Sequence, residues 1–158
     1  MTILDFAPER LDLLRHTRTV AMVGASSNAS RASNFVATYL LGATEWTVWF
    51  VNPHEKEILG HPVFPSLADL PAVPDLVDVF RRRSDLPGVV GEAIDIGAPA
   101  IWFQLGLVHD EAAAEASTSG MDVVQNRCLK IEHARFAGGL HIAGFDTGVI
   151  DSRRTRLV

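Results

Sequence analysis

Apolar residues fall along this chain in short unbroken blocks separated by stretches of helical period. The first strong block, Thr19-Val20-Ala21-Met22-Val23, stops abruptly at Gly24. A run of this length bounded by a turn signal reads as a strand buried on both faces. Similar blocks at 46–51, closed by Asn52-Pro53, and at 76–80, 100–103 and 121–124 predict four more strands. Between them the period changes. Phe35, Val36, Tyr39 and Leu40 make a helical stripe over about 33–41. Leu86, Val89, Val90, Ala93 and Ile94 do the same over about 85–96, with Ser84 as the expected N-cap and Gly97-Ala98-Pro99 as the stop. An Ala-rich helix is expected over 110–117, ending near Gly120, and a short leading helix over 8–15 with Leu11, Leu13 and Leu14 on one side.

Strands separated by helices of about ten residues specify parallel pairing with right-handed crossovers. The expected fold is α/β: a Rossmann-like, doubly wound three-layer sandwich with a mainly parallel sheet of five or six strands. Residues 55–73 depart from a plain βαβ unit. Within them, 58–64 reads as a turn and a short extended piece, and 66–70 as one helical turn capped by Ser66. One domain is expected over 1–136. The Gly- and Arg-containing segment 137–158 is weakly patterned and reads as an extension packed on the domain or on a partner subunit, as in a homodimer.

Composition narrows the function classes. The chain has 158 residues, 47% of them apolar, and a net charge of −5, a balance that argues against general nucleic-acid binding. No apolar run approaches the roughly 20 residues needed to span a bilayer, and the N-terminus has no secretory pattern. The single cysteine excludes an intramolecular disulfide and fits a reducing cytoplasm.

In doubly wound sheets ligands lie at the carboxyl ends of the strands, where the strand order reverses. The residues just past each strand are 24–31, 52–56, 80–83, 104–106 and 125–128. They carry hydroxyls, amides and guanidiniums and almost no carboxylate, which suits a phosphorylated ligand. The loop Gly24-Ala25-Ser26-Ser27-Asn28-Ala29-Ser30, ahead of a helix, is placed to offer backbone N–H groups and a helix dipole to an anion. A nicotinamide dinucleotide is disfavoured. Its domains place an acidic residue after strand two, where this chain has Val51-Asn52-Pro53, and its loop has two further glycines that are missing here.

Ten short motifs occur in order: Gly24-Ala25-Ser26, Arg31-Ala32-Ser33, Tyr39-Leu40, Val51-Asn52-Pro53, Glu57-Ile58-Leu59-Gly60, Ser66-Leu67-Ala68-Asp69-Leu70, Asp78-Val79-Phe80-Arg81, Glu92-Ala93-Ile94, Trp102-Phe103-Gln104-Leu105-Gly106 and Asn126-Arg127-Cys128. Together they resemble the small single-domain CoA-binding proteins, which are similar to the N-terminal CoA-binding domain of the succinyl-CoA synthetase α-subunit. The resemblance runs over about 15–136. It implies coenzyme A or an acyl-CoA across the carboxyl edge of the sheet. Gly24, Ala25, Ser26 and Ser27 would take phosphate oxygens, with Arg31 and Ser33 nearby. Asn52, Pro53 and Lys56 would border the adenosine 3′-phosphate, Phe80 and Arg81 the adenine or phosphates, and Gln104 and Gly106 the pantetheine arm. His109 stands where Asn is more usual, and Gln125-Asn126-Arg127-Cys128 replaces the usual Met-Asp-Arg-Cys.

No metal-ligand spacing and no nucleophile–base–orienter set is visible, so no catalytic residue is assigned. Of Arg81, Arg82 and Arg83, one or two can face a site, and Arg81 is the first candidate. Trp46, Trp49 and Trp102 read as core. Cys128 reads as a small buried hydrophobe, with a mixed disulfide to CoA as the alternative. Glu132 and His133, as neighbours in an extended segment, cannot face one point, and His133 reads as structural. The expected function is a non-catalytic CoA carrier, sensor or regulatory protein. The alternatives are a CoA-ligase-related subunit needing a partner, or an NAD(P)-dependent oxidoreductase.

Overall fold

The computed structural model describes residues 2–137. Its strands are β1 (Thr19–Val23), β2 (Thr47–Val51), β3 (Glu57–Ile58), β4 (His61–Phe64), β5 (Leu76–Val79), β6 (Ala100–Phe103) and β7 (Asp122–Val124). Its helices are α1 (Ala7–Arg15), α2 (Ala32–Ala43), α3 (Leu86–Ile96), α4 (Asp110–Thr118) and α5 (Leu129–Ala137). The sheet order is β3-β4-β2-β1-β5-β6-β7. Every pair is parallel except the antiparallel β3–β4 hairpin. From β1 the chain winds outward through β2, then crosses back to place β5 on the other side of β1. The order therefore reverses between β1 and β5, and their carboxyl ends open the crevice such sheets use for ligands.

The alternation of a strand decides which layer each residue feeds. Val20, Met22, Leu76 and Trp102 face one layer, packed by Leu14 of α1, Val36, Ala37 and Leu40 of α2, and Leu129 and Phe136 of α5. Ala21, Val23, Val77, Val79, Ile101 and Phe103 face the other, against Leu86, Val89, Val90 and Ala93 of α3 and Ala112, Ala113 and Ala116 of α4. Two covered faces make the sheet fully buried, which is why β1, β5 and β6 read as unbroken apolar runs.

The expected α/β sandwich is present, with seven strands rather than five or six. The difference comes from 57–64, where Leu59 and Gly60 at positive φ close a hairpin whose second strand extends the sheet beside β2. Two caps differ as well. A 3-10 turn over Arg83–Asp85 precedes α3, so Asp85 rather than Ser84 holds the N-cap. Ser66 donates to the Asp69 carboxylate, 2.7 Å away, instead of accepting a backbone N–H. Of the three tryptophans, Trp102 is fully buried, while Trp46 and Trp49 are half-buried, with Trp46 packed at the core edge. The expected docking of 137–158 falls, from residue 138 on, outside the described residues.

The largest gap in the sequence reading is α5. Its buried side chains are Leu129, Glu132 and Phe136, so a carboxylate interrupts the apolar stripe. The Arg10 guanidinium makes that burial tolerable: its Nε donates to Glu132 Oε1 at 2.6 Å, with both side chains nearly excluded from solvent. Arg10 also donates to the Asp5 carbonyl at 2.8 Å, and Arg135 to Glu132 Oε2 at 3.1 Å.

Candidate functional site: a cationic cleft at the sheet's carboxyl edge

The chain leaves β1 at Gly24 with φ +86°, a left-handed backbone that glycine adopts without steric cost. A Cβ there would lie 2.5 Å from the Phe80 carbonyl oxygen and 2.7 Å from Arg81 Cδ. Glycine thus lets the loops after β1 and β5 touch. The loop after β2 is tied in from the other side, where Asn52 Nδ2 donates to the Ala25 carbonyl at 2.8 Å. Asn52 Oδ1 accepts the His54 N–H at 2.8 Å, an Asx turn that redirects the chain after Pro53. The first turn of α2 secures the β1 loop: the Ser26 N–H donates to Ser33 Oγ and Asn34 Nδ2 to the Ser26 carbonyl, each at 3.1 Å.

Three loops and one helix end enclose a cleft of about 580 Å³. Of the residues named from the sequence, Gly24, Ser26, Arg31, Ser33, Asn52, Pro53, Phe80 and Arg81 line it together. Arg82 is the second of the arginine run to face it, and Ala32, His54 and Asp85 line it too, three residues the sequence reading did not assign. Arg31 holds the N-cap of α2 without a side-chain acceptor, and no acidic residue stands in that helix's first turn. The positive end of the helix dipole is therefore uncompensated where Ala32 and Ser33 border the cleft.

Arg81 and Arg82 approach from the opposite wall. Each places its Nε beside Asp85 Oδ2, at 3.5 and 3.4 Å. Desolvation raises the Asp85 carboxyl, but the charge of Arg81 and the hydrogen bonds and charge of Arg82 outweigh it and leave the group below its usual range. The ionised Asp85 holds both guanidiniums at the rim. Its signal in the sequence was the i, i+3 and i, i+4 spacing from Arg82 and Arg81.

Five other expected residues sit elsewhere. Ala25 is buried under α2 in the core. Ser27 and the exposed Lys56 side chain do not line the cleft. Gln104 turns inward, accepting the Leu129 N–H at 3.3 Å and donating through Nε2 to Asp78 Oδ1. Gly106 is exposed and donates its N–H to Asn126 Oδ1 at 2.8 Å. A carboxylate also stands where the sequence promised almost none. Glu55 Oε2 accepts the Ser27 N–H at 2.7 Å. The nearby Ser27 hydroxyl, this N–H and the Ser26 hydroxyl hold the Glu55 carboxyl below its usual range against desolvation.

Residues 18–134 match the family model described as the CoA binding domain. The chain belongs to that CoA-binding family. An uncharacterized protein of Bacillus subtilis strain 168, YneT, is 35% identical over 123 residues, covering 78% of this chain and 90% of its own. The ADP-forming acetate–CoA ligase I of Archaeoglobus fulgidus is 32% identical over 137 residues, covering 80% of this chain but 20% of the ligase. Among solved structures, a hypothetical protein from Pyrococcus horikoshii OT3 superposes with a TM-score of 0.76 at 35% identity, covering 82% of this chain and 90% of that one.

The other chemistry-bearing residues of this CoA-binding domain lie away from the cleft's lining. Glu132 and His133 lie on a helix, not a strand, and still diverge: Glu132 meets Arg10, while His133 Nδ1 pairs with the Tyr39 hydroxyl at 2.8 Å. Burial lowers the His133 pKa and raises that of Tyr39. Cys128 is half-buried against the core. Asp78 is fully buried on β5, with Oδ2 lacking a hydrogen-bond partner among the described residues. Burial pushes its carboxyl well above the usual range, against the opposing bond from Gln104. Among the described residues no group of His, Cys, Asp and Glu is clustered to hold a metal, and no helix is long and apolar enough to cross a membrane.

Proposed function

We propose that the chain binds coenzyme A or an acyl-CoA in this cleft, as a carrier, sensor or regulatory protein that performs no chemistry of its own. The observation that carries the reading is the convergence of Arg31, Arg81 and Arg82 on a cleft bordered by the open N-terminus of α2. A diphosphate suits Gly24, Ser26 and Ser33 at that helix end, with Arg31 beside it. Asn52 and Pro53 border the adenosine, Phe80 flanks the adenine, and Arg81 with Arg82 suits the 3′-phosphate. From there the pantetheine arm follows the strand ends towards Gly106.

The acetate–CoA ligase relative supports a second reading, a ligase-related subunit. The chain spans one fifth of that enzyme, so ligation would require a partner carrying the rest. A nicotinamide enzyme is supported less, since β2 leads into Asn52 rather than an acidic residue. Calorimetric titration with CoA, acetyl-CoA, NAD and NADP separates these, and mass spectrometry of ligand released from purified protein identifies the acyl group. CoA and acetyl-CoA are expected to bind. Tight NAD binding with no response to either CoA species would overturn the proposal.

A further inference from the structure

The small-residue loop after β1 was expected to cradle a ligand's phosphate, and the structure shows an anion in that cradle already. It is the protein's own Glu55. The Ser27 N–H donates to its Oε2 at 2.7 Å. The neighbouring backbone donors are satisfied by neutral groups: Ser26 N–H by Ser33 Oγ at 3.1 Å, Asn28 N–H by Ser26 Oγ at 3.0 Å, and Ser30 N–H by Asn28 Oδ1 at 2.9 Å. Ser27 is therefore the position in this loop where a charged acceptor is drawn in, and charge-assisted bonds of this kind are the stronger ones.

We propose that Glu55 is a built-in competitor for this loop, a carboxylate that keeps Ser27 out of the cleft's lining and that the diphosphate of a ligand seated on the adjacent Ser26 displaces. The inference rests on the CoA reading for its natural ligand but not for its geometry. Glu55 belongs to the same short turn as Asn52, Pro53 and His54, which form a wall of the cleft. Releasing Glu55 from Ser27 frees that wall, while the Asn52 Nδ2 bond to the Ala25 carbonyl remains as its hinge-side tether. Arg31, Arg81 and Arg82 are free of this contact and supply the first attraction for the ligand. The Glu55 contact sets the affinity threshold that the ligand must exceed.

The test titrates the full-length protein and its E55Q and E55A variants with CoA and with inorganic pyrophosphate. The exposed neighbour variant E57Q serves as a control for net charge. Both Glu55 variants are expected to bind both ligands on the order of tenfold more tightly, the scale of losing one charge-assisted competitor. E57Q should stay within about twofold of the unaltered protein. The Ser27 amide proton, followed by NMR, should lose its Glu55-bonded shift on pyrophosphate addition and in E55Q alone. Tighter pyrophosphate binding in the Glu55 variants without any CoA binding supports the competitor and sinks the CoA reading. CoA binding that is unchanged or weaker in E55Q and E55A overturns the competitor and leaves the CoA reading standing. An equal gain in E57Q overturns it as well, as does failure of every variant to bind either ligand.

Discussion

Gly24 and Phe80 stand so close that a single methyl group on Gly24 would sit 2.5 Å from the Phe80 carbonyl oxygen. That oxygen is backbone and cannot rotate away as a side chain would. Gly24→Ala therefore has to part the loops after β1 and β5, and it also forces φ +86° on a residue with a Cβ. The conformational cost alone is about 1–3 kcal/mol. Urea unfolding should show at least that loss, and CoA affinity should fall by about tenfold or more. Unaltered stability and affinity together would mean the loops do not meet here.

Arg81 and Arg82 share Asp85 but are not equally exposed: the Arg81 side chain is 36% accessible and that of Arg82 84%. Arg81→Ala should weaken CoA by about tenfold and 3′-dephospho-CoA by much less, since charge-assisted contacts carry that discrimination. The more exposed Arg82 should show a smaller version of the same pattern. Calorimetry with the two ligands reads both effects. Equal losses for both ligands would move the 3′-phosphate to another part of the cleft.

Burial raises the Asp78 carboxyl above its unfolded value, and this has a definite sign for stability. At low pH the group is protonated in both states and burial costs least. As pH rises past the unfolded carboxylate pKa, the unfolded chain alone ionises, so stability falls until the folded group ionises too. Asp78→Asn mimics the neutral acid. It should be more stable than the unaltered protein at pH 7, with the difference shrinking towards pH 3. Thermal melts across that range check it, and a variant less stable at pH 7 would show that the charged form is favoured.

Arg10 and Glu132 form a buried ion pair linking α1 to α5. Removing one partner strands the other charge in the core, and Glu132→Ala should cost about 3–5 kcal/mol by urea titration. Replacing both, as Arg10→Met with Glu132→Leu, should recover most of that loss. If the double variant is as unstable as the single one, the pair contributes more than mutual neutralisation.

What could be read from the sequence was whatever depended on local apolar pattern. The runs of β1, β5 and β6 and the stripe of α3 needed no distant partner to be recognised. Helix α5 did, because Glu132 occupies a core position made tolerable by Arg10, 122 residues away, beside the local Arg135. The cleft was legible where strand ends set it, at Gly24, Asn52 and Phe80. It was illegible where a 3-10 turn aims Arg82 and Asp85, since that turn has no apolar signature. Gln104 was assigned to the ligand because it follows a strand. The first residue past β6 instead continues the strand's alternation and turns inward, below the edge.

The bonds that β6 and its next residue make to the 127–129 segment have a mechanical consequence. Trp102 Nε1 donates to the Arg127 carbonyl at 2.8 Å, and Gln104 accepts the Leu129 N–H at 3.3 Å. Cys128 is thus bolted to the sheet on both sides, on a mount as stiff as the sheet itself. The backbone on either side is fixed, so the half-buried thiol is repositioned only by rotation of its own side chain. Any thiol chemistry at this position would have to be brought to it, and a bulky adduct would be felt as strain in the sheet rather than absorbed by a loop.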